Sequence, residues 1–271
     1  MEPFETTETV ETPPPPPPSP IEWRPGEIHL LGPFEAPDLA TRHVRVYLPS
    51  DFTPDTPRFA LYLFDGQNVF DDYPSFSGGW HVHQSIEKLV GRLPMPIVIG
   101  IDHGNEDRIY ELCPFCFEGT EGKVDLLLDW ITGFLMPYLA SELPLIPGPI
   151  GAVIGGSSMG GLASFYAHFK RPDAFGGALV MSPSFWINDA EILRWLADQP
   201  LPETSRVYLD AGGREGRGTL LPLVAAVAAH LANRGYDSDR LMFRPDTRGA
   251  HTERAWRRRL PKALRFFYRK G

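Results

Sequence analysis

Ala152-Val153-Ile154-Gly155-Gly156-Ser157-Ser158-Met159-Gly160-Gly161-Leu162-Ala163-Ser164 is the stretch on which the reading of this chain turns. An apolar run of strand type leads into Gly156-Ser157-Ser158-Met159-Gly160, a G-x-S-x-G, and an amphipathic helical pattern over residues 159–169 follows at once. A turn this tight leaves no room for side chains beside the serine. Glycines at 156 and 160 let Ser158 take a strained backbone and lift its hydroxyl from the end of the sheet, which makes it the candidate nucleophile.

The same alternation extends in both directions. Apolar bursts at residues 59–64, 96–101, 150–154, 177–181, 206–209 and 240–243 are continuous, as in strands buried on both faces. Residues 41–48 alternate Val44, Val46 and Leu48 with His43, Arg45 and Tyr47, which predicts a half-exposed strand. Helical patterns lie between, at 80–90, 124–139, 159–169, 190–197, 220–233 and 252–268, the last with Pro261 as an expected kink. Strand-helix alternation predicts one α/β domain over residues 23–271, with a mainly parallel sheet covered on both faces by helices. Binding sites then belong at the C-terminal ends of the strands. Ahead of the domain, residues 1–22 read as a disordered acidic tail: Glu and Thr without apolar periodicity, then unbroken proline over 13–18.

A serine hydroxyl is a weak nucleophile at neutral pH unless a general base takes its proton, and the base needs an orienting carboxylate. Of the eight histidines, His230 and His251 come after the later strands. His230 falls inside an apolar helix, where packing is the ordinary role. His251 lies in Arg248-Gly249-Ala250-His251-Thr252-Glu253, a loop ahead of the last helix, and is the expected base. For the acid, the strand Arg206-Val207-Tyr208-Leu209 runs into Asp210-Ala211-Gly212-Gly213-Arg214-Glu215-Gly216. Glu215, in the glycine-rich loop beyond the sheet edge, has the better reach. Asp210, in or at the end of the strand, is the alternative acid and is otherwise expected to hold the loop by hydrogen bonds. The chain order serine, acid, histidine fits an α/β-hydrolase.

Several further segments carry a resemblance: Leu61-Tyr62-Leu63-Phe64-Asp65-Gly66-Gln67-Asn68-Val69-Phe70, Gly100-Ile101-Asp102 with Arg108-Ile109-Tyr110-Glu111, Ser182-Pro183-Ser184-Phe185-Trp186, and Gly249-Ala250-His251 followed by Trp256. Together with the serine turn, the chain from about residue 44 to 267 resembles the Putative esterase, or esterase D-like, branch of the α/β-hydrolases, which includes enterochelin esterases, feruloyl esterase domains, S-formylglutathione hydrolases and mycolyltransferases. The resemblance implies an α/β-hydrolase fold and a serine esterase acting through an acyl-enzyme, with Ser158, His251 and Glu215 as triad and no cofactor. Gly212-Gly213-Arg214-Glu215 resembles the family's Gly-x-x-acid loop. Acyl transfer also needs donors for the developing oxyanion, and the backbone N–H groups of Met159 and Gln67 are expected in that role; Asp65-Gly66 as a plain turn is the other reading of the Gln67 loop. Asn68, Trp186 and Phe185 are expected to contact substrate, with a core position the other reading of the two aromatics.

The remaining features exclude more than they assign. The net charge is −8, of which Glu2, Glu5, Glu8, Glu11 and Glu22 contribute −5 with no Lys or Arg before residue 24, so the rest is nearly balanced. Arg254, Arg257, Arg258 and Arg259 form the one basic cluster and read as a solvated helix face, so no nucleic-acid partner is expected. No apolar run approaches the ~20 residues of a membrane span. The start shows neither a basic leader nor an apolar h-region, so a cytoplasmic location is expected. Trp80-His81-Val82-His83 reads as two histidines on different sides of a helix without a carboxylate cluster, so no metal is expected. Cys113-Pro114-Phe115-Cys116 has a redox spacing but lies mid-chain in a loop. The partner expected is a small-molecule ester. An acyltransferase on the same scaffold is the alternative, and a CxxC thiol or metal protein on an inactive hydrolase fold is the alternative from another class.

Overall fold

The computed structural model describes residues 21–75, 78–203 and 205–269, so the expected tail lies almost wholly outside it. Eight strands form one sheet: β1 (Ile28–Ala36), β2 (Leu39–Tyr47), β3 (Ala60–Phe64), β4 (Ile97–Ile101), β5 (Ala152–Ser157), β6 (Gly177–Met181), β7 (Arg206–Gly212) and β8 (Leu241–Asp246). Their order is β1-β2-β4-β3-β5-β6-β7-β8. β1 and β2 pair antiparallel with each other, β2 pairs antiparallel with β4, and β4 through β8 are parallel. Helices connect them: α1 (Gly66–Val69), α2 (Val82–Glu87), α3 (Arg108–Glu111), α4 (Val124–Trp130), α5 (Met136–Glu142), α6 (Met159–Lys170), α7 (Glu191–Ala197), α8 (Leu220–Asn233) and α9 (Glu253–Tyr268). This is the α/β-hydrolase architecture.

The continuous apolar runs become strands with no exposed face: every residue of β3, β4 and β6 is buried. The pleat sends neighbours to opposite layers. Tyr62 and Phe64 belong to one core cluster with Leu127 of α4, Leu162 of α6 and Val224 of α8, while Leu61 and Leu63 belong to a second with Ile86 of α2 and Leu260 and Leu264 of α9. Each connection therefore buries a helix stripe against one half of a strand.

The differences from the sequence reading have local causes. β1 escapes a search for clean alternation because Gly32-Pro33 sits inside it, and its register with β2 shifts between Leu31 and Phe34; an edge strand tolerates a proline that a central one does not. β5 runs through the glycines as far as Ser157, and β7 runs two residues past Asp210, which places that carboxylate within the strand. The expected helix over 124–139 contains a π turn at Ile131–Leu135 between α4 and α5. Pro261 does not end α9, which continues to Tyr268.

Candidate active site

Ser158 joins β5 to α6 at φ 55° and ψ −121°, a strained conformation for a residue with a side chain. Gly156 is required there: a Cβ on it would lie 2.7 Å from the backbone of Gly160. The Ser158 N–H donates to Met181 O at 3.1 Å, which ties the turn to β6. Met159 opens α6, so its N–H has no acceptor within the helix.

Gln67 stands on the neighbouring strand-to-helix turn, since β3 and β5 are adjacent in the sheet and each is followed directly by a helix. Asp65, at φ 60°, ends β3 and receives Arg108 on both carboxylate oxygens, at 2.5 and 2.8 Å. Gly66 then passes β4 so closely that a Cβ would lie 2.6 Å from Gly100 C. The Gln67 side-chain oxygen accepts from His103 N–H at 3.1 Å, fixing the residue whose backbone N–H is also a first-turn donor.

His251 and Glu215 come together from the ends of β8 and β7. His251 Nδ1 is 3.1 Å from Glu215 Oε2, with the histidine side chain 42% exposed and the glutamate fully enclosed. Glu215 Oε1 accepts from Gly212 N–H and Ser182 Oγ, both at 2.9 Å. Burial alone would raise this carboxyl, but the hydrogen bonds from His251 and Ser182 and the charge of Arg259 hold it below its ordinary value. Glu215 is thus a carboxylate at neutral pH. The His251 ring meets Trp256 edge-on at 5.0 Å.

Asp210 has its partners outside the glycine-rich loop. It is completely buried; Oδ1 accepts from Ser182 N–H at 3.2 Å, and Oδ2 takes Tyr208 O–H at 3.1 Å and faces Arg259 Nε at 3.2 Å. Burial pushes its carboxyl up to about 7 against the pull of Arg259. Its described partners do not include His251.

Ser158 and His251 line one cavity of about 550 Å³, shared with Ser184, Trp186, Leu220 and Leu223. Among the described residues the hydrogen-bond partner of Ser158 Oγ is Ser184 Oγ, at 3.4 Å, and no hydrogen bond joins it to His251. Catalytic hydrogen bonds often close only with substrate present. Trp186 is 55% exposed at this cavity, with Phe117 edge-on at 6.3 Å. Phe185 is not a pocket wall: it is wholly buried against Phe165, 5.1 Å away. Asn68 does not line the cavity; its backbone oxygen accepts from Trp80 N–H at 2.8 Å.

Two residues that hold this site escape a motif search. Ser182 Oγ donates to Glu215 and accepts from Trp256 Nε1 at 3.0 Å and Arg259 Nη2 at 2.7 Å. Arg259, read as part of a solvated cluster, is 6% exposed, because it lies on the stripe of α9 that buries Trp256, Leu260 and Ala263. That i, i+3, i+4 spacing is a signal available in the sequence.

The thiol alternative gains no support from Cys113. Cys113 is fully buried, and burial pushes its thiol up, opposite to the shift a reactive thiol requires. The ground for setting aside His81 and His83 also fails. His81 takes φ 51° ahead of α2, so the two are not on one helix, and Asp71 and Asp72 lie beside them.

A mainly parallel sheet with helices on both faces and a serine on a strained strand-to-helix turn define an α/β-hydrolase. The family described as Putative esterase matches residues 40–267, and the chain belongs to it. It is 26% identical over 244 residues to the Bacillus subtilis (strain 168) protein named Uncharacterized protein YbbA, covering 85% of this chain and 94% of that one. It is 28% identical over 186 residues to the iron(III) enterobactin esterase of Dickeya dadantii (strain 3937), covering 66% of this chain and 38% of the relative. A crystal structure of the enterobactin esterase FES from Shigella flexneri in the presence of enterobactin matches with a TM-score of 0.68 at 25% identity, over 83% of this chain and 54% of that one. The chain therefore spans about half or less of these two enterobactin esterases. The BES protein of Bacillus cereus matches with a TM-score of 0.70 over 96% of this chain and 99% of that one, and at 18% identity shows the fold. The protein is a carboxylic ester hydrolase. No described helix is long and apolar enough to cross a membrane.

Proposed function

We propose that the protein hydrolyses its ester through an acyl-enzyme on Ser158. Ser158 Oγ attacks the ester carbonyl, His251 Nε2 takes the hydroxyl proton, and the tetrahedral oxyanion is held by the N–H groups of Met159 and Gln67. Collapse of that intermediate breaks the ester C–O bond, and the proton on His251 leaves with the alcohol. Water then attacks the acyl carbon, giving its proton to His251, and Ser158 is released with the acid product. Glu215 keeps the Nδ1 proton in place and steadies the imidazolium. The observation that carries this reading is the contact of 3.1 Å between a buried, ionised Glu215 and His251 at a cavity that also holds Ser158.

For the substrate we propose an ester of siderophore type, on the likeness to the iron(III) enterobactin esterase of Dickeya dadantii and the siderophore triacetylfusarinine C esterase of Aspergillus fumigatus. The exposed Trp186 beside Leu220 and Leu223 supports an aromatic or apolar group in the cavity. Turnover of p-nitrophenyl acetate tests the chemistry: Ser158→Ala and His251→Ala should fall to one common level, and the double variant no lower, because triad members act as a unit. Additive losses would overturn the triad. Chromatography of enterobactin after incubation tests the substrate class, with linear and monomeric products expected and intact lactone the contrary result.

A further inference from the structure

The turn ahead of α2 gathers a second set of chemistry-bearing side chains away from the serine cavity. One nitrogen of His81, one of His83 and one carboxylate oxygen of Asp71 all fall within 4.8 Å of one another. His83 Nε2 stands 3.9 Å from Asp71 Oδ1, and His81 Nε2 stands 2.9 Å from Asp72 Oδ1. The two rings are 6.0 Å apart between centroids. Their convergence depends on the left-handed backbone of His81, which takes its side chain out of the helical frame in which i and i+2 diverge.

The backbone holds these donors in place. Trp80 N–H donates to Asn68 O and His81 N–H to Phe70 O, at 2.8 and 3.0 Å, while Gly79 N–H donates to Asp72 Oδ1 at 2.9 Å. His81 Nδ1 is 3.2 Å from the Gln84 side-chain amide, which can turn its oxygen to accept from Nδ1–H once Nε2 is ligated, the support a metal-bound imidazole needs.

We propose that His81, His83 and Asp71, with Asp72 as a further carboxylate, form a binding site for one divalent transition-metal ion of zinc type. Metal–ligand bonds of about 2.0–2.2 Å place tetrahedral donors about 3.3–3.5 Å apart, so donors that now stand up to 4.8 Å apart have to close by up to about 1.5 Å. Carboxylates that are 60% and 77% exposed can make that movement. Two imidazoles select zinc over magnesium and calcium, which prefer oxygen donors throughout. In ligating His81, the ion replaces the proton shared with Asp72. It would tie Asp71, four residues after Gln67, to His81 and His83. The site stands independently of the esterase mechanism. The positive charge of Arg257, which acts on Asp72, works against cation binding and lowers the expected affinity.

Zinc chloride titrated calorimetrically into the full chain tests this. One ion per chain is expected at a Kd on the order of 1 μM. His83→Asn and Asp71→Asn should each weaken binding by about 100-fold, since even an outer-shell partner is worth about 10–100-fold. His251→Ala should bind as the wild type does, which separates this site from the serine cavity. Magnesium chloride at millimolar excess should not compete. Asp71 is exposed at the surface, so its variant is expected to fold even where the half-buried His83→Asn does not. Absence of saturable binding, equal binding by wild type and Asp71→Asn, or loss of binding in His251→Ala would each overturn the proposal.

Discussion

Replacing Glu215 by Gln exchanges one carboxylate oxygen for an NH2 at almost constant shape, and the surroundings decide which oxygen. At the Oε1 position Gly212 N–H arrives at 2.9 Å and can only donate, and the Arg259 guanidinium stands 3.5 Å away. Both require an oxygen there, so the NH2 turns toward His251 Nδ1 at 3.1 Å. Facing a donor, Nδ1 must accept, and the ring proton moves to Nε2, the atom proposed to take the proton of Ser158. A wrong tautomer costs about 10⁴-fold in kcat in the well-studied serine protease case, which is about 5 kcal/mol of barrier. The sequence alone suggests no loss of stability, because Glu215 reads as a loop residue. The structure requires one, since Glu215 is 2% exposed against Arg259. Stripping a buried ion of its partner costs about 3–5 kcal/mol. Arg259 keeps Asp210 at 3.2 Å, so less than half of that is expected, or about 1–2 kcal/mol and about 2–8 °C in Tm. The sign with pH follows from the depressed carboxyl: its contribution is present above the ordinary value of 4.5 and lost as pH falls through the lower folded value, so the Tm gap should close on acidification. The assay is kcat for p-nitrophenyl acetate with Tm by circular dichroism, run beside Asp210→Asn, which should lose stability with a kcat change within about tenfold. A Glu215→Gln variant retaining more than about a tenth of wild-type kcat, or a larger kcat loss in Asp210→Asn, would refute this reasoning.

Ser182→Ala leaves Trp256 Nε1 without its acceptor and Glu215 without one of its donors; one stranded buried donor costs about 1–3 kcal/mol, so Tm should fall, and kcat with it, while KM stays near the wild-type value. Trp186→Ala should raise KM for aryl esters by about 2–10-fold, the worth of one aromatic contact, and leave acetyl esters nearly unchanged; equal effects on both would place Trp186 outside the substrate's reach. A chain starting at Ile21 should keep its Tm and kcat, because a segment without apolar periodicity adds little to a core; a large drop in either would mean that residues 1–20 dock on the body.

What the sequence made legible depended on whether a residue's role is set by its neighbours in the chain. The turn from β5 to α6 was readable because the apolar run, the two glycines and the helix are contiguous, and β3, β4 and β6 because full burial leaves no alternation to disturb. β1 was not, since Gly32-Pro33 breaks its pattern and only the edge position makes that tolerable. The preference for Glu215 over Asp210 came from counting residues past a strand end, and β7 indeed carries Asp210 inside it. Arg259 was hidden by its company: Arg257 and Arg258 belong to a basic run, while Arg259 alone shares the buried stripe with Trp256 and Leu260. His81 was misjudged because a run of helix-forming residues gives no warning of a left-handed residue at its start. The links from Ser182 to Glu215, Trp256 and Arg259 span 33 to 77 positions, which no local pattern encodes.

The central claim is that Ser158 carries the acyl group, and the most direct test is to trap the adduct. Incubation with a fluorophosphonate, followed by proteolysis and mass spectrometry, should place a single phosphonyl group on the peptide containing Ser158, with esterase activity lost in step with labelling. Ser158→Ala should neither label nor turn over p-nitrophenyl acetate. A label on any other residue, or near wild-type turnover by Ser158→Ala, would contradict the account.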